Sequence, residues 1–254
     1  MKKITLKPAA ALLAILLIAS PIITHAASPI SDVGSAAVYK GETATDARFG
    51  YNKDGENDSS DDRFRMRQHL DYGFTDYYAF RVILAQDKRQ GDDLEHQRFG
   101  IENRFQVIEK RDYGWDGGFR VRYSQNDGDK SPNEFDIRLL AQVPFGNNWE
   151  WRKNALFIHE VGEEAEGGMA IELRNQITRS IPVTHPLIKD ARLGLEMFND
   201  LGKSISEYDN QDHQIGPVLK MKFPSGIEAQ TGYRAGISPA SVDNTFKFFV
   251  GKKF

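Results

Sequence analysis

The string "RFRMRQHLDYGF" at residues 63–74 decides how the rest of the chain is read. Arg63, Arg65, Arg67, His69 and Asp71 take alternate positions. Phe64, Met66, Leu70, Tyr72 and Phe74 take most of the others, with Gln68 the exception. A period of two means an extended strand with one charged face and one apolar face. What matters is which of the two faces meets water.

The same alternation recurs nearly to the end, interrupted by Gly, Asn, Asp and Pro clusters, and predicts about a dozen strands. The first is expected over roughly 38–51 and the third from Tyr77, carrying Arg81. From Arg98, Phe99, Ile101, Phe105 and Val107 stand against Arg98, Glu102, Arg104 and Gln106. From Asp116, Phe119, Val121 and Tyr123 stand against Arg120 and Arg122, and from Glu134 the charged positions include Asp136 and Arg138. A strand from Trp149 changes phase after Lys153, pointing either to a bulge or to a different register. From Met169, Ile171, Leu173 and Ile177 oppose Glu172, Arg174 and Gln176. Connections after odd-numbered strands are longer and acidic, such as "NKDGENDSSDD". Most of the others are tight, such as Thr75-Asp76, although 181–189 is longer.

Composition narrows the class. The 254 residues contain no cysteine and carry a formal charge of -3. Residues 1–26 read as a cleaved export signal: Lys2, Lys3 and Lys7 precede an apolar core at 9–19, and Thr24-His25-Ala26 supplies a cleavage site. That core is too short for the roughly 20 residues of a membrane-spanning helix. Cleavage removes three lysines and no acid, leaving 27–254 at three below -3, that is -6. A mildly acidic exported chain argues against nucleic acid as a partner. Lack of cysteine removes disulfides, thiolate metal sites and thiol nucleophiles.

The chain ends in Phe254, with Val250, Phe248 and Phe246 behind it at spacing two. With the export signal and the loop pattern, this terminal strand resembles those of Gram-negative outer-membrane β-barrel proteins. Lys252 departs from their pattern, which carries an apolar residue there. The resemblance implies an all-β, closed antiparallel transmembrane barrel of about 12 strands in the outer membrane. It also implies lipid and lipopolysaccharide around the barrel, and recognition of Phe246, Phe248, Val250 and Phe254 by the barrel-assembly machinery. Twelve-stranded members include channels for acidic sugars that use arginine tracks.

In such a barrel the apolar face meets lipid and the charged face meets the lumen, since an arginine at the bilayer midplane costs about 2–4 kcal/mol. Arg63, Arg65, Arg67, Arg81, Arg98, Arg104, Arg120, Arg122, Arg138 and Arg174, with Glu102 and Glu172, are therefore expected to line the interior. Tyr72, Phe74, Tyr77, Tyr78, Trp149 and Trp151 fall near the short turns, as an interfacial girdle would. Unpaired arginines would make an anion-attracting pore, whereas cross-strand ion pairs would fill the barrel, and a diameter set by twelve strands decides neither. A periplasmic β-sandwich with a solvated polar face would show similar periodicity but leaves Phe254 without a role.

The expected function is a small channel for hydrophilic, anionic solutes, with no cofactor and no metal. One alternative is a non-conducting interaction barrel whose acidic loops (Asp54–Asp62 and Glu163–Glu166) bind a partner. The other is an enzyme at the outer rim. His159-Glu160 and Asp212-His213 are the nearest to catalytic pairs, but adjacent strand residues point to opposite faces, so no enzyme is expected.

Overall fold

The computed structural model describes residues 28–55, 60–127, 131–163, 165 and 167–254. The predicted export signal, its cleavage boundary included, and parts of the acidic loops lie outside the described residues.

Twelve strands form a closed barrel in which each pairs antiparallel with its sequence neighbours and β1 pairs with β12. They are β1 Thr43–Lys53, β2 Arg63–Gly73, β3 Tyr78–Lys88, β4 Glu95–Ile108, β5 Asp116–Asn126 and β6 Asn133–Phe145. The second half comprises β7 Trp149–Val161, β8 Ala170–Ile181, β9 Asp190–Lys203, β10 Asp212–Lys222, β11 Ile227–Gly236 and β12 Asn244–Lys253. Closure satisfies every strand edge from within, which a chain surrounded by lipid requires. Among the described residues no helix is long and apolar enough to cross a membrane.

Burial is inverted relative to a water-soluble globule. Among the described residues 29 buried side chains are polar or charged and 14 are apolar, while Leu70, Leu84, Phe99, Leu139, Leu193, Leu195, Phe246 and Phe248 lie outward and exposed. Lipid is therefore the solvent of the outer face and the polar residues form the interior. At the short-turn end an aromatic band runs around the outside. Tyr72–Phe74, Phe74–Tyr78, Tyr78–Phe105 and Phe105–Phe119 have ring centroids 4.8, 5.6, 5.2 and 4.9 Å apart. Such a band suits the membrane interface, where a ring sits half in water.

Three expectations need correction. The first strand begins at Thr43, not near residue 38. The strand from Trp149 has no bulge: its pairing with β6 and β8 is unbroken. Its change of phase is compositional, because Leu156 points inward and is fully buried while Lys153 points outward, 5.8 Å from the Trp151 ring. The connection 109–115 is not tight and carries a single helical turn, α1 Lys110–Tyr113.

Residues 28–42 do not belong to the wall. Gly41, at φ +78, reverses the chain at the short-turn rim, where its N–H donates to the Gly73 carbonyl at 2.7 Å. From there residues 40 back to 28 run up the lumen, and Ile30, Ser31, Val33, Ala36 and Val38 are buried inside it.

Candidate functional site

The interior is built by the alternate residues of every strand, so register decides what faces what. Arg104 pairs across with Arg120, and Arg120 with Arg138, putting three arginines side by side on β4, β5 and β6. Arg48 likewise faces Arg67 across β1 and β2. Like charges directly opposite one another are unfavourable unless oxygens are brought to them.

Part of that oxygen comes from the wall. Arg81 reaches Asp71 at 2.7 Å and Glu102 at 3.5 Å, and Arg120 reaches Glu102 at 3.3 Å. Arg104 reaches Asp71 at 3.1 Å, Arg63 and Arg65 share Asp87 at 2.5 and 3.2 Å, and Arg98 meets Glu134 at 2.7 Å. Arg122 pairs closely with Asp136, and Arg174 with Glu172 at 2.5 Å. These ten arginines lie on the inner face of the barrel, and among the described residues all but Arg67 and Arg138 have a wall carboxylate within 4 Å.

The remainder comes from the inner segment. Arg234, Arg174, Arg120 and Arg104 donate to the main-chain carbonyls of Ser28, Asp32, Ser35 and Ala37 at 3.3, 3.3, 3.2 and 3.4 Å. The Asp32 carboxylate lies 3.0 Å from Arg48 and 3.6 Å from Arg138. Asn154 holds Gly34 on both sides, accepting from its N–H at 2.7 Å and donating to its carbonyl at 3.2 Å. The Val38 N–H donates to Gln106 at 2.7 Å. Val33 packs on Phe198, a fully buried inward ring that also carries the Arg234 guanidinium 4.0 Å from its centroid. Gly50 leaves room for the segment: a Cβ there would stand 2.6 Å from the Pro29 carbonyl carbon.

Toward the long loops the lumen opens into a cavity of about 380 Å³. Its floor includes Ser28 and Ser31, and loop residues Ser60, Arg89, Ser131 and Gly168 mark its rim. Nine cationic side chains and four carboxylates line it. Arg67, in its wall, has no carboxylate within ion-pair distance among the described residues, and its Nε has no hydrogen-bond partner there. An excess of fixed positive charge around a confined aqueous volume attracts anions.

Several inward residues carry no signal in the sequence reading. Arg48 and Lys247 were not assigned to the lumen, yet both are buried in it, and Lys247 makes a 2.5 Å pair with Glu196. Asp87 falls just beyond the expected end of its strand. Asp32 sits in a stretch without periodicity.

Among the described residues no three His, Asp or Glu side chains are placed to hold a metal ion. His213 has both ring nitrogens engaged, by Asn199 and by Gln211, at 2.9 Å each. His159 Nδ1 lies 3.0 Å from the Gly168 carbonyl. In the loop 54–62, Asp61 is turned in: it accepts from the Asp54 N–H at 2.9 Å and meets Lys53 at 3.0 Å. The Asp54 N–H, then the Lys53 ammonium, hold its carboxyl below the ordinary range.

Comparison with solved structures places this architecture. A porin named KdgM superposes with a TM-score of 0.58 at 11% identity, covering 83% of this chain and 99% of its own. A porin named NanC gives 0.60 at 9% identity, over 83% and 100%. The chain has the fold of an outer-membrane β-barrel. No family model and no curated protein matches its sequence, so the likeness is one of fold. As an outer-membrane barrel it sits among lipid and, by the usual arrangement, turns its short connections to the periplasm and its long ones outward. The cationic cavity is then the outer vestibule, and the inner segment enters from the periplasmic rim. Phe246 and Phe248 face lipid, Phe254 closes the seam by donating its N–H to the Thr43 carbonyl at 2.8 Å, and Lys252 lies 4.8 Å over the Phe254 ring. A lysine at that rim can reach headgroup water.

Proposed function

We propose that the barrel is a small channel for passive diffusion of hydrophilic anions across the outer membrane. The observation that carries this reading is the arginine row Arg104–Arg120–Arg138, which continues an anion-attracting vestibule into the lumen. Like charges set side by side cost stability, and a pathway for negative solutes is a reason to keep them. The porin names of the two similar barrels support it.

The test is planar-bilayer conductance of the refolded chain, with reversal potential under a salt gradient. Discrete openings with anion preference, reduced on replacing Arg63, Arg65 and Arg67 together with Ser, support the channel. A correctly folded barrel silent at both polarities, in chloride and in a carboxylate salt alike, overturns it. One observation favours a second reading, a non-conducting interaction barrel: residues 28–42 occupy the lumen. The same recording separates the two.

A further inference from the structure

The inner segment makes two kinds of contact with the wall. Six of its eleven residues from 28 to 38 are apolar, but among the described residues only Val33 joins a buried apolar cluster with a wall residue, Phe198. Most of its attachments are oxygens offered to arginines: four carbonyls spaced along the segment and one carboxylate, Asp32, between Arg48 and Arg138. These are the groups a carboxylated, hydroxyl-rich solute would present. Neutral hydrogen bonds at Gly34, Ser35 and Val38 add to these contacts, but the charge-assisted ones dominate, and a chain tethered at residues 40–42 is displaced from them when an equivalent anion takes those donors.

We propose that residues 28–38 are a tethered plug, that Asp32 is the built-in occupant of a carboxylate site formed by Arg48 and Arg138, and that carboxylate solutes open the channel by displacing it. This rests on the channel reading above. Arg48 keeps Asp46 at 2.9 Å when Asp32 leaves. Arg138 has no other carboxylate within ion-pair distance among the described residues, so Asp32's departure leaves it open to a replacement. At Gly50 and Gly34 the segment passes close to the wall: added Cβ atoms would meet Pro29 at 2.6 Å and Arg120 at 2.5 Å.

A disulfide tests the plug directly, because the chain has no cysteine of its own. A Cβ at Gly50 would lie 2.7 Å from that of Pro29, so a small retreat of the segment gives the roughly 3.8 Å a disulfide needs. Full-length chain carrying Pro29→Cys and Gly50→Cys is recorded oxidised, then after reductant on the same bilayer, with sodium gluconate replacing chloride at constant ionic strength. The expected result is at least tenfold lower open fraction when oxidised, recovery on reduction, and an increase with gluconate only in the reduced form. The isosteric Asp32→Asn, which needs no crosslink, should raise the open fraction in chloride about tenfold, one charge-assisted contact's worth. If the oxidised form conducts as well as the reduced one, or Asp32→Asn leaves openings unchanged, the plug is overturned while the channel stands. If neither variant nor the parent conducts, the channel reading fails and the plug with it.

Discussion

The carboxylate of Asp32, on a segment inside the barrel, lies 3.0 Å from the guanidinium of Arg48 on its wall. The pair joins the stretch with least periodicity to the first strand of a regular sheet. Its consequences are measurable alongside those of the wall itself.

Arg67 and Arg122 should separate charge from stability. Arg67→Ser removes a cation with no carboxylate partner, so it should shift the reversal potential toward cations and change unfolding in denaturant by less than about 1 kcal/mol. Arg122→Leu strands the buried Asp136 and should cost about 3–5 kcal/mol. Equal destabilisation by both would contradict the pairing described.

Glu196 and Lys247 form an ion pair across the lumen, from β9 to β12, with both side chains buried. Lys247→Met alone should destabilise by about 3–5 kcal/mol, and adding Glu196→Gln should recover much of that loss. A double-mutant cycle with no coupling would refute a direct pair.

Gly194 and Gly216 are inward positions where a Cβ would stand 1.9 Å from a neighbouring carbonyl oxygen, of Ile177 and Tyr233 respectively. Alanine at either should cost several kcal/mol, in the range of overpacked or strained sites. Gly100→Ala, whose nearest contacts are 3.4 Å, should be close to neutral. Refolding yield and heat-dependent gel mobility rank the three.

Phe254 should matter in cells more than in detergent. Phe254→Ser is expected to lower the amount of barrel reaching the outer membrane severalfold while leaving refolding in micelles unchanged. Equal loss in both settings would show that the ring acts in stability instead of recognition.

Asp61 gives a pH dependence confined to the first outer loop. Its carboxyl is held below the ordinary value chiefly by the Asp54 N–H. A lowered folded-state pKa contributes stability above the unfolded carboxylate value, near pH 4, and that contribution is lost as pH falls through the lower folded value. The protection factor of the Asp54 amide, with the intrinsic pH dependence of exchange divided out, should therefore stay constant above that region and fall only below it, and Asp61→Asn should remove the transition.

The strand count, the closed antiparallel topology and the membrane setting were legible because lipid outside and water inside impose a strict period of two. Arg63 to Phe74 shows it almost without error. The period fails where a side chain's face is set by three-dimensional surroundings. Lys153 lies outward because it reaches the interface beside Trp151, and Leu156 lies inward because the lumen there is packed. Lys247 was hidden by aromatics on both faces of the last strand, since Phe249 points in while Phe246 and Phe248 point out. The segment 28–42 carries no pattern at all, because its burial comes from being enclosed on all sides and not from having a face.

Gly41, where the chain turns from the wall into the lumen, also fixes how strong a competitor must be. Asp32 lies nine residues from that turn, so it samples its own binding site at an effective concentration in about the millimolar range, as short tethers do. A trace solute cannot win against a rival that never diffuses away. The barrel would respond instead to abundance, staying shut in dilute surroundings and admitting cargo when the medium outside is rich in it.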